Sequence, residues 1–325
     1  MAFGFLGVGS AYPDRVLTNR DLEKMVDTSD EWIRTRTGIS ERRMVDDATA
    51  TSDLAAQAGT RALQAAGLGP EDVDLIIVAT FTPDSALPSA ACRVMEKMGI
   101  PNCMAFDLNA ACTGWLYSIA CARGMWANGV FRNALLIGAD CITKYVDFQD
   151  RATCVLFGDA AGAAVMGEVE EGRGILGEYH SADGRLGHNI VIPGGGSSKP
   201  FSQEVLDKRE QYIQMDGNEV FKFAVRIMRD SLQEACKRAG VEPGDLDWVI
   251  PHQANIRIID GAIKRLGISS ERFVVNVERF GNTSAASVGL AMDEAIRDGR
   301  LKRGDLVGLV AFGGGLTWGA AVLRY

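Results

Sequence analysis

Cys112 lies in the run Asn109-Ala110-Ala111-Cys112-Thr113-Gly114-Trp115. The apolar stretch Met104-Ala105-Phe106-Asp107-Leu108 precedes it, and a helical pattern runs from Thr113 to about Asn128, with Gly129 as its stop. A thiol at a helix start faces unpaired N–H groups and the positive end of the helix dipole, which favour thiolate. That placement suggests a nucleophile; the plain alternative is a small packing cysteine. His252 follows the apolar stretch Leu246-Asp247-Trp248-Val249-Ile250-Pro251 and is one of only three histidines, with His180 and His188. Asn282 precedes a second long helical pattern, and its amide can donate without titrating. The run Ala311-Phe312-Gly313-Gly314-Gly315-Leu316 supplies N–H groups that a ligand can approach closely, as an oxyanion hole requires. A capping asparagine, a structural histidine and a plain glycine hairpin would each explain one of these features alone.

The elements that must position these groups occur twice. Residues 66–77, AGLGPEDVDLII, match residues 239–250, AGVEPGDLDWVI, at an offset of 173 residues. In each copy a helix ends at Ala-Gly, a Pro/Asp turn follows and an apolar strand begins. The first copy continues as helix 88–99, strand 104–108, helix 113–128 and strand 134–139. The second continues as helix 254–266, strand 273–277, helix 283–298 and strand 305–312. Short apolar strands alternating with amphipathic helices predict a mostly parallel sheet covered on both faces. Two such units predict an α/β fold, a duplicated α/β/α layered sandwich with internal pseudo-twofold symmetry. The halves are 1–170, carrying the cysteine, and 171–325, carrying the histidine and asparagine. With a small gap, Cys112-Thr113 aligns to Asn282-Thr283. Because sites in such sheets lie beyond the carboxyl ends of strands, Cys112, His252 and Asn282 are expected to share one cleft.

Composition narrows the function classes. The 325 residues are 47% hydrophobic, enough for two core-forming halves, and the net charge of −8 gives no reason to expect nucleic acid. No apolar run reaches the roughly 18 residues of a membrane span, and no signal-peptide pattern is seen, so a cytoplasmic protein is expected. The seven cysteines are odd in number and lack C-x-x-C spacing, which predicts reduced thiols, at least six of them in packing roles, and no metal site. Gly7-Val8-Gly9 lacks the third glycine of a dinucleotide fingerprint, and Gly194-Gly195-Gly196-Ser197-Ser198-Lys199 is not a P-loop.

The motifs Ala110-Ala111-Cys112-Thr113-Gly114, Pro251-His252-Gln253-Ala254-Asn255 and Gly281-Asn282-Thr283-Ser284-Ala285-Ala286-Ser287 resemble those of β-ketoacyl-[acyl carrier protein] synthase III. That family is the thiolase-fold initiating condensing enzyme of fatty-acid synthesis. The resemblance covers essentially the whole chain, including Asp30-Glu31-Trp32-Ile33-Arg34-Thr35-Arg36-Thr37-Gly38-Ile39. A degradative thiolase would need a second catalytic cysteine near the C-terminus, but the last here is Cys236; elongating condensing enzymes use two histidines where this chain has Asn282. The resemblance implies that Cys112 takes an acyl group from coenzyme A and that Cys112 and Gly314 N–H groups hold the oxyanion. His252 and Asn282 then stabilise the enolate left when malonyl-[acyl carrier protein] loses carbon dioxide. No cofactor beyond the coenzyme A thioester substrate is implied.

Trp32, Arg34, Arg36, Arg42 and Arg43 form a basic cluster with one aromatic, suited to phosphates and an adenine, unless it is a solvated loop paired with nearby acids. By resemblance, Trp32 and Arg151 sandwich the adenine and Thr28 and Arg36 assist. Met215, Gly217, Phe221, Ala254, Asn255 and Phe312 would line the pantetheine tunnel, and Leu87, Leu156 and Phe157 the acyl pocket. Arg257, Lys264 and Arg265 on the helix after His252, with Lys222 and Arg226, form a basic patch expected to meet an acidic carrier protein. The family commonly has phenylalanine at position 87, reaching over from a dimer mate; Leu87 here suggests a wider choice of primer within a homodimer. The alternative is a same-fold condensing enzyme of a polyketide or quinolone-type pathway.

Overall fold

Leu75–Ala79, and Ala134–Asp140 up to its final aspartate, are apolar runs because each is buried on both faces at the centre of a five-stranded sheet. The computed structural model describes residues 1–325. This first sheet runs Ala2–Ala11, Ala160–Val169, Ala134–Asp140, Leu75–Ala79, Met104–Leu108. The second runs Gly174–Ala182, Thr317–Arg324, Leu306–Gly313, Trp248–Pro251, the same order in the other half. A single bridge from Val249 to Phe273 stands where its fifth strand would be. The expected strand 273–277 is thus reduced to one pairing, and Val277–Phe280 turns helical instead.

The sheets are mixed rather than mostly parallel. Leu75–Ala79 pairs in parallel with both neighbours, and Trp248–Pro251 with Leu306–Gly313. Ala160–Val169 and Thr317–Arg324 are antiparallel to the strands on either side of them. The glycine run 313–315 is the hairpin turn that reverses the chain, so no crossover helix is needed there.

Five layers result. Helices Gly114–Ala127 and Ser287–Arg297 lie between the sheets, Thr51–Ala66 and Ala90–Lys97 cover the first, and Gly217–Ala239 and Ile256–Leu266 cover the second. The central apolar cluster includes Trp115, Leu136, Ile250, Val288 and Leu309, contributed by both halves. Trp115 is buried and its indole donates to the Leu136 carbonyl at 3.2 Å. The repeated Ala-Gly signature has a physical cause. Side chains at Gly7 and Gly177 would each come within 2.4 Å of a helix backbone, at Ala66 N and Ala239 N respectively. Each outer helix therefore rests directly on strand backbone and then stops at a left-handed glycine, Gly67 (φ 68°) or Gly240 (φ 72°). No helix is long and apolar enough to cross a membrane.

Candidate active site

Cys112 sits in the 3₁₀ turn Ala111–Thr113, which feeds directly into the helix Gly114–Ala127. Its counterpart turn is Ser284–Ala286, leading into Ser287–Arg297. Ala111 (φ 45°) and Ser284 (φ 51°) both adopt the left-handed conformation that side chains disfavour, and they stand 173 residues apart. The repeat therefore runs through this region without a gap. It pairs Cys112 with Ala285 and Asn282 with Asn109, correcting the gapped alignment. Both asparagines make the same local turn: Asn109 Oδ1 accepts from Ala111 N at 3.3 Å and Asn282 Oδ1 from Ser284 N at 2.9 Å. With Oδ1 so engaged, the Asn282 amide nitrogen is left for the cavity, which Asn282 lines.

The two halves meet at the cysteine. A side chain at Gly313 would stand 2.7 Å from Cys112 N, so glycine allows the 313–315 turn to approach the cysteine closely. Thr113 Oγ1 and Thr317 Oγ1 are 2.9 Å apart, and Thr317 Oγ1 also donates to the Ala110 carbonyl at 3.1 Å, tying the cysteine turn to that hairpin. His252 ends the strand Trp248–Pro251, buried edge-on to Phe312 with ring centroids 5.3 Å apart. Its Nδ1 is 2.6 Å from Ser287 Oγ. Gln253 braces the adjoining backbone, donating to the Pro251 and Val274 carbonyls and accepting from the N–H groups of Asn276 and Val277.

Desolvation is the largest influence on ionisation here. Protein atoms around Cys112 desolvate the thiol and push its pKa up to about 12; the buried Asp140 carboxyl adds to the rise and Ser284 opposes it. Desolvation thus opposes the thiolate that the helix start was expected to favour. Asp140 is itself raised by burial, against hydrogen bonds from the backbone of Phe81 and the hydroxyls of Thr80 and Thr82. Desolvation holds His252 near 3, so its imidazole is neutral at ordinary pH.

Cys112, His252, Asn282 and Gly314 line one cavity of about 660 Å³. Met215, Gly217, Phe221, Ala254, Asn255 and Phe312, which the resemblance assigned to a tunnel, and Leu156 and Phe157, assigned to an acyl pocket, line it too. Asn255 acts there as a brace: its Oδ1 accepts from Arg257 N and its Nδ2 donates to the Arg36 carbonyl. Trp32 and Arg36 line the cavity, and two guanidinium groups lie over the Trp32 ring, Arg36 at 5.0 Å and Arg151 at 4.9 Å from its centroid. Thr28 is not in the lining, although its hydroxyl is buried without a partner. The rest of the basic cluster disperses. Arg34 pairs with Asp30, and Arg43 stacks on Tyr12. Arg42 is fully buried, donating to Leu17 O, Asn19 Oδ1 and Val155 O, with its pKa lowered to about 10 by burial.

Leu87 is 86% exposed and absent from the cavity of its own chain. Arg257 lines the mouth and lies 5.4 Å over the Phe221 ring, while Lys264 and Arg265 are on the same helix and Lys222 is paired with Glu219. Cys92 and Cys121 are exposed, so fewer cysteines pack the core than the composition suggested. Asp140, Ser287 and Asn109 are the residues at the site that sequence reasoning missed. Extending the 173-residue offset past the first matched segment would have exposed the last two.

Residues 106–184 match the family 3-oxoacyl-[acyl-carrier-protein (ACP)] synthase III, and residues 236–325 match its C-terminal part. The chain is 53% identical over 325 residues to the β-ketoacyl-[acyl-carrier-protein] synthase III of Caldanaerobacter subterraneus, covering 100% of this chain and 98% of that protein. Its fold superposes on the 3-oxoacyl-[acyl-carrier-protein] synthase III of Aquifex aeolicus with a TM-score of 0.93 at 45% identity, covering 100% of both chains. The priming β-ketosynthase of the R1128 polyketide pathway gives 0.91 at 34% identity, covering 99% of this chain and 96% of that one. A cysteine, a neutral histidine and an asparagine amide in one cavity, on a fold matched from end to end at this identity, leave one conclusion: the chain belongs to the β-ketoacyl-[acyl-carrier-protein] synthase III family.

Proposed function

We propose that this enzyme condenses an acyl primer, carried on coenzyme A, with malonyl-[acyl carrier protein], and so opens fatty-acid synthesis. The observation that carries the reading is the convergence of Cys112, His252 and Asn282 on one cavity that Trp32 also lines, with two arginines over its ring. Cys112 sulfur attacks the thioester carbonyl, its proton leaves with the displaced coenzyme A thiol, and an acyl-cysteine remains. The Cys112 and Gly314 N–H groups hold the oxyanion in that step. Malonyl thioester then breaks its bond to the carboxylate, releasing carbon dioxide. The electron pair passes to an enolate oxygen held by His252 Nε2–H and Asn282 Nδ2–H. The enolate carbon attacks the acyl-cysteine, forming the new C–C bond and expelling Cys112 as thiolate, with a 3-oxoacyl product on the carrier.

Recognition uses the same ring. Arg151 already stacks on Trp32, so an adenine enters by taking Arg151's place against the ring and receiving the guanidinium on its other face. Arg36 and Thr28 assist there. Arg257, Lys264, Arg265 and Lys222 meet the acidic carrier protein. The R1128 likeness, at 34% identity against 53%, gives a polyketide role less support than fatty-acid synthesis. The test is intact-mass analysis after exposure to a panel of acyl-CoAs, followed by malonyl-[acyl carrier protein]. One acyl adduct on Cys112 that disappears as a 3-oxoacyl carrier forms is the expected result; adducts that persist would refute condensation.

The enzyme works as a homodimer in this reading. Met104–Leu108 is the edge of the first sheet, with Met104 48% exposed and its outer backbone edge unpaired. Asp107 on that strand accepts from Ala90 N and Ala91 N at 2.7 and 2.8 Å, which ties Leu87 to the same edge. A second copy pairing there would carry Leu87 towards its partner's acyl pocket. Leu87→Phe should therefore reject branched and longer primers, shifting the acetyl- against isobutyryl-CoA preference roughly tenfold or more. An unchanged ratio in a competition assay would show that position 87 does not reach the pocket.

A further inference from the structure

The 173-residue repeat gives every position at the site a counterpart from which the chemistry can be read by difference. His252 corresponds to Ala79, which ends the strand Leu75–Ala79, and Ser287 corresponds to Gly114. Gly114 and Ser287 are the first residues of the two central helices. In the first half these positions meet without a polar side-chain atom: a Cβ on Gly114 would lie 3.0 Å from that of Ala79. At the same juncture in the second half an imidazole nitrogen and a hydroxyl oxygen are 2.6 Å apart, both residues being buried. The architecture closes with Ala and Gly there, so the polar pair is not required by the fold.

We infer that Ser287 is a positioning residue for condensation: its hydroxyl donates to His252 Nδ1 and fixes the imidazole in the neutral tautomer with its proton on Nε2. The direction of the bond follows from accounting for each hydrogen. Nδ1 is the one partner of the Ser287 hydroxyl. If Nδ1–H donated instead, the hydroxyl hydrogen would be buried without an acceptor. A cationic imidazole, which would also donate from Nδ1, is disfavoured by burial and by the N-terminus of the helix Ser287–Arg297 beside it. With Nδ1 occupied, the Nε2 proton is the one left for a substrate oxygen. The inference rests on the reading of His252 as an enolate donor.

The test combines a spectrum with two half-reactions. In protein labelled with ¹⁵N at histidine, the His252 signals, identified by their loss in His252→Ala, should show Nδ1 unprotonated and Nε2 protonated. Ser287→Ala should release that constraint and shift both signals towards an exchanging mixture. Ser287→Gly, which copies the residue at position 114, guards against a folding defect and should do the same. Both variants should decarboxylate malonyl-[acyl carrier protein] roughly 10–100-fold more slowly, as when partners that orient metal-bound histidines are lost. Their KM for the carrier and their Cys112 acylation should move far less. A protonated Nδ1 in the wild-type protein would overturn the inference. So would full decarboxylation by both Ser287 variants alongside a deficient His252→Ala. Full decarboxylation by His252→Ala itself would instead remove the reading of His252 as enolate donor, and the role of Ser287 with it.

Discussion

Cys112→Ser loses transfer of an acyl group from coenzyme A by at least roughly a thousandfold while the fold stays intact. The substitution changes one atom of similar size in a turn whose backbone is held by Thr113 and Thr317, so packing has little reason to change. What changes is the nucleophile. A serine hydroxyl ionises far above physiological pH, and His252, the imidazole in the same cavity, has its Nδ1 bound to Ser287. The thiol is not pre-ionised either. Desolvation holds it near pKa 12, so thiolate is scarce at neutral pH and grows as pH rises. Alkylation of Cys112 by iodoacetamide should consequently climb about tenfold per pH unit from 7 to 10 without a plateau. Peptide mass analysis separates Cys112 from the exposed Cys92 and Cys121. A plateau near neutrality would mean that the helix N-terminus outweighs desolvation after all. Normal acylation of Cys112→Ser, or an acyl adduct on Cys92 or Cys154, would remove Cys112 from the mechanism.

The sequence and the structure agree where hydrophobic patterning alone decides the element. Met104–Leu108 and Leu75–Ala79 read as strands because short apolar runs between turn signals have few other uses. The duplication was legible because Gly7 and Gly177 let identical Ala-Gly helix ends rest on strand backbone. The antiparallel partners were not, since Ala160–Val169 follows only the four-residue helix Arg151–Cys154 and its run of alanine and glycine has no strong strand signal. Pairing Cys112 with Asn282 failed for a local reason. The left-handed Ala111 and Ser284 mark the true equivalence, and a positive φ at a residue other than glycine leaves no trace in composition. Arg42 illustrates a different limit. Beside Arg43 it reads as surface charge, yet the backbone carbonyls of Leu17 and Val155 and the Asn19 amide oxygen satisfy it inside the protein. The thiol pKa is the same kind of case: the helix start was visible, but the surroundings that desolvate Cys112 come from both halves and exist only after folding.

His252→Ala and Asn282→Ala should separate the two half-reactions. Neither side chain is needed to break the bond to coenzyme A, where the proposed oxyanion donors are backbone N–H groups. Both are proposed to act in the second step. Asn282 Oδ1 is engaged by Ser284 N at 2.9 Å, which turns the amide NH₂ to the cavity, and the buried His252 presents its ring there from the end of Trp248–Pro251. Two neutral donors on one developing oxyanion, shielded from water, are each worth roughly 10²–10³ in rate. Decarboxylation of malonyl-[acyl carrier protein] should fall by that factor in each single variant, and the double variant should fall by less than the product because the donors share one oxygen. The burst of coenzyme A release should survive in all three. The histidine pKa adds a check on sign. Held near 3 against an ordinary 6.5, His252 gains its proton only as pH falls towards 3, so between pH 5 and 8 the decarboxylation rate should show no histidine titration. Carbon dioxide release from malonyl-[acyl carrier protein], followed across that range in the wild type and each variant, decides the matter. Loss of the burst with decarboxylation retained would reverse the assignment, placing His252 and Asn282 in acyl transfer, and a rate that turns on near pH 6.5 would show a histidine that ionises in the cavity rather than one held neutral by burial.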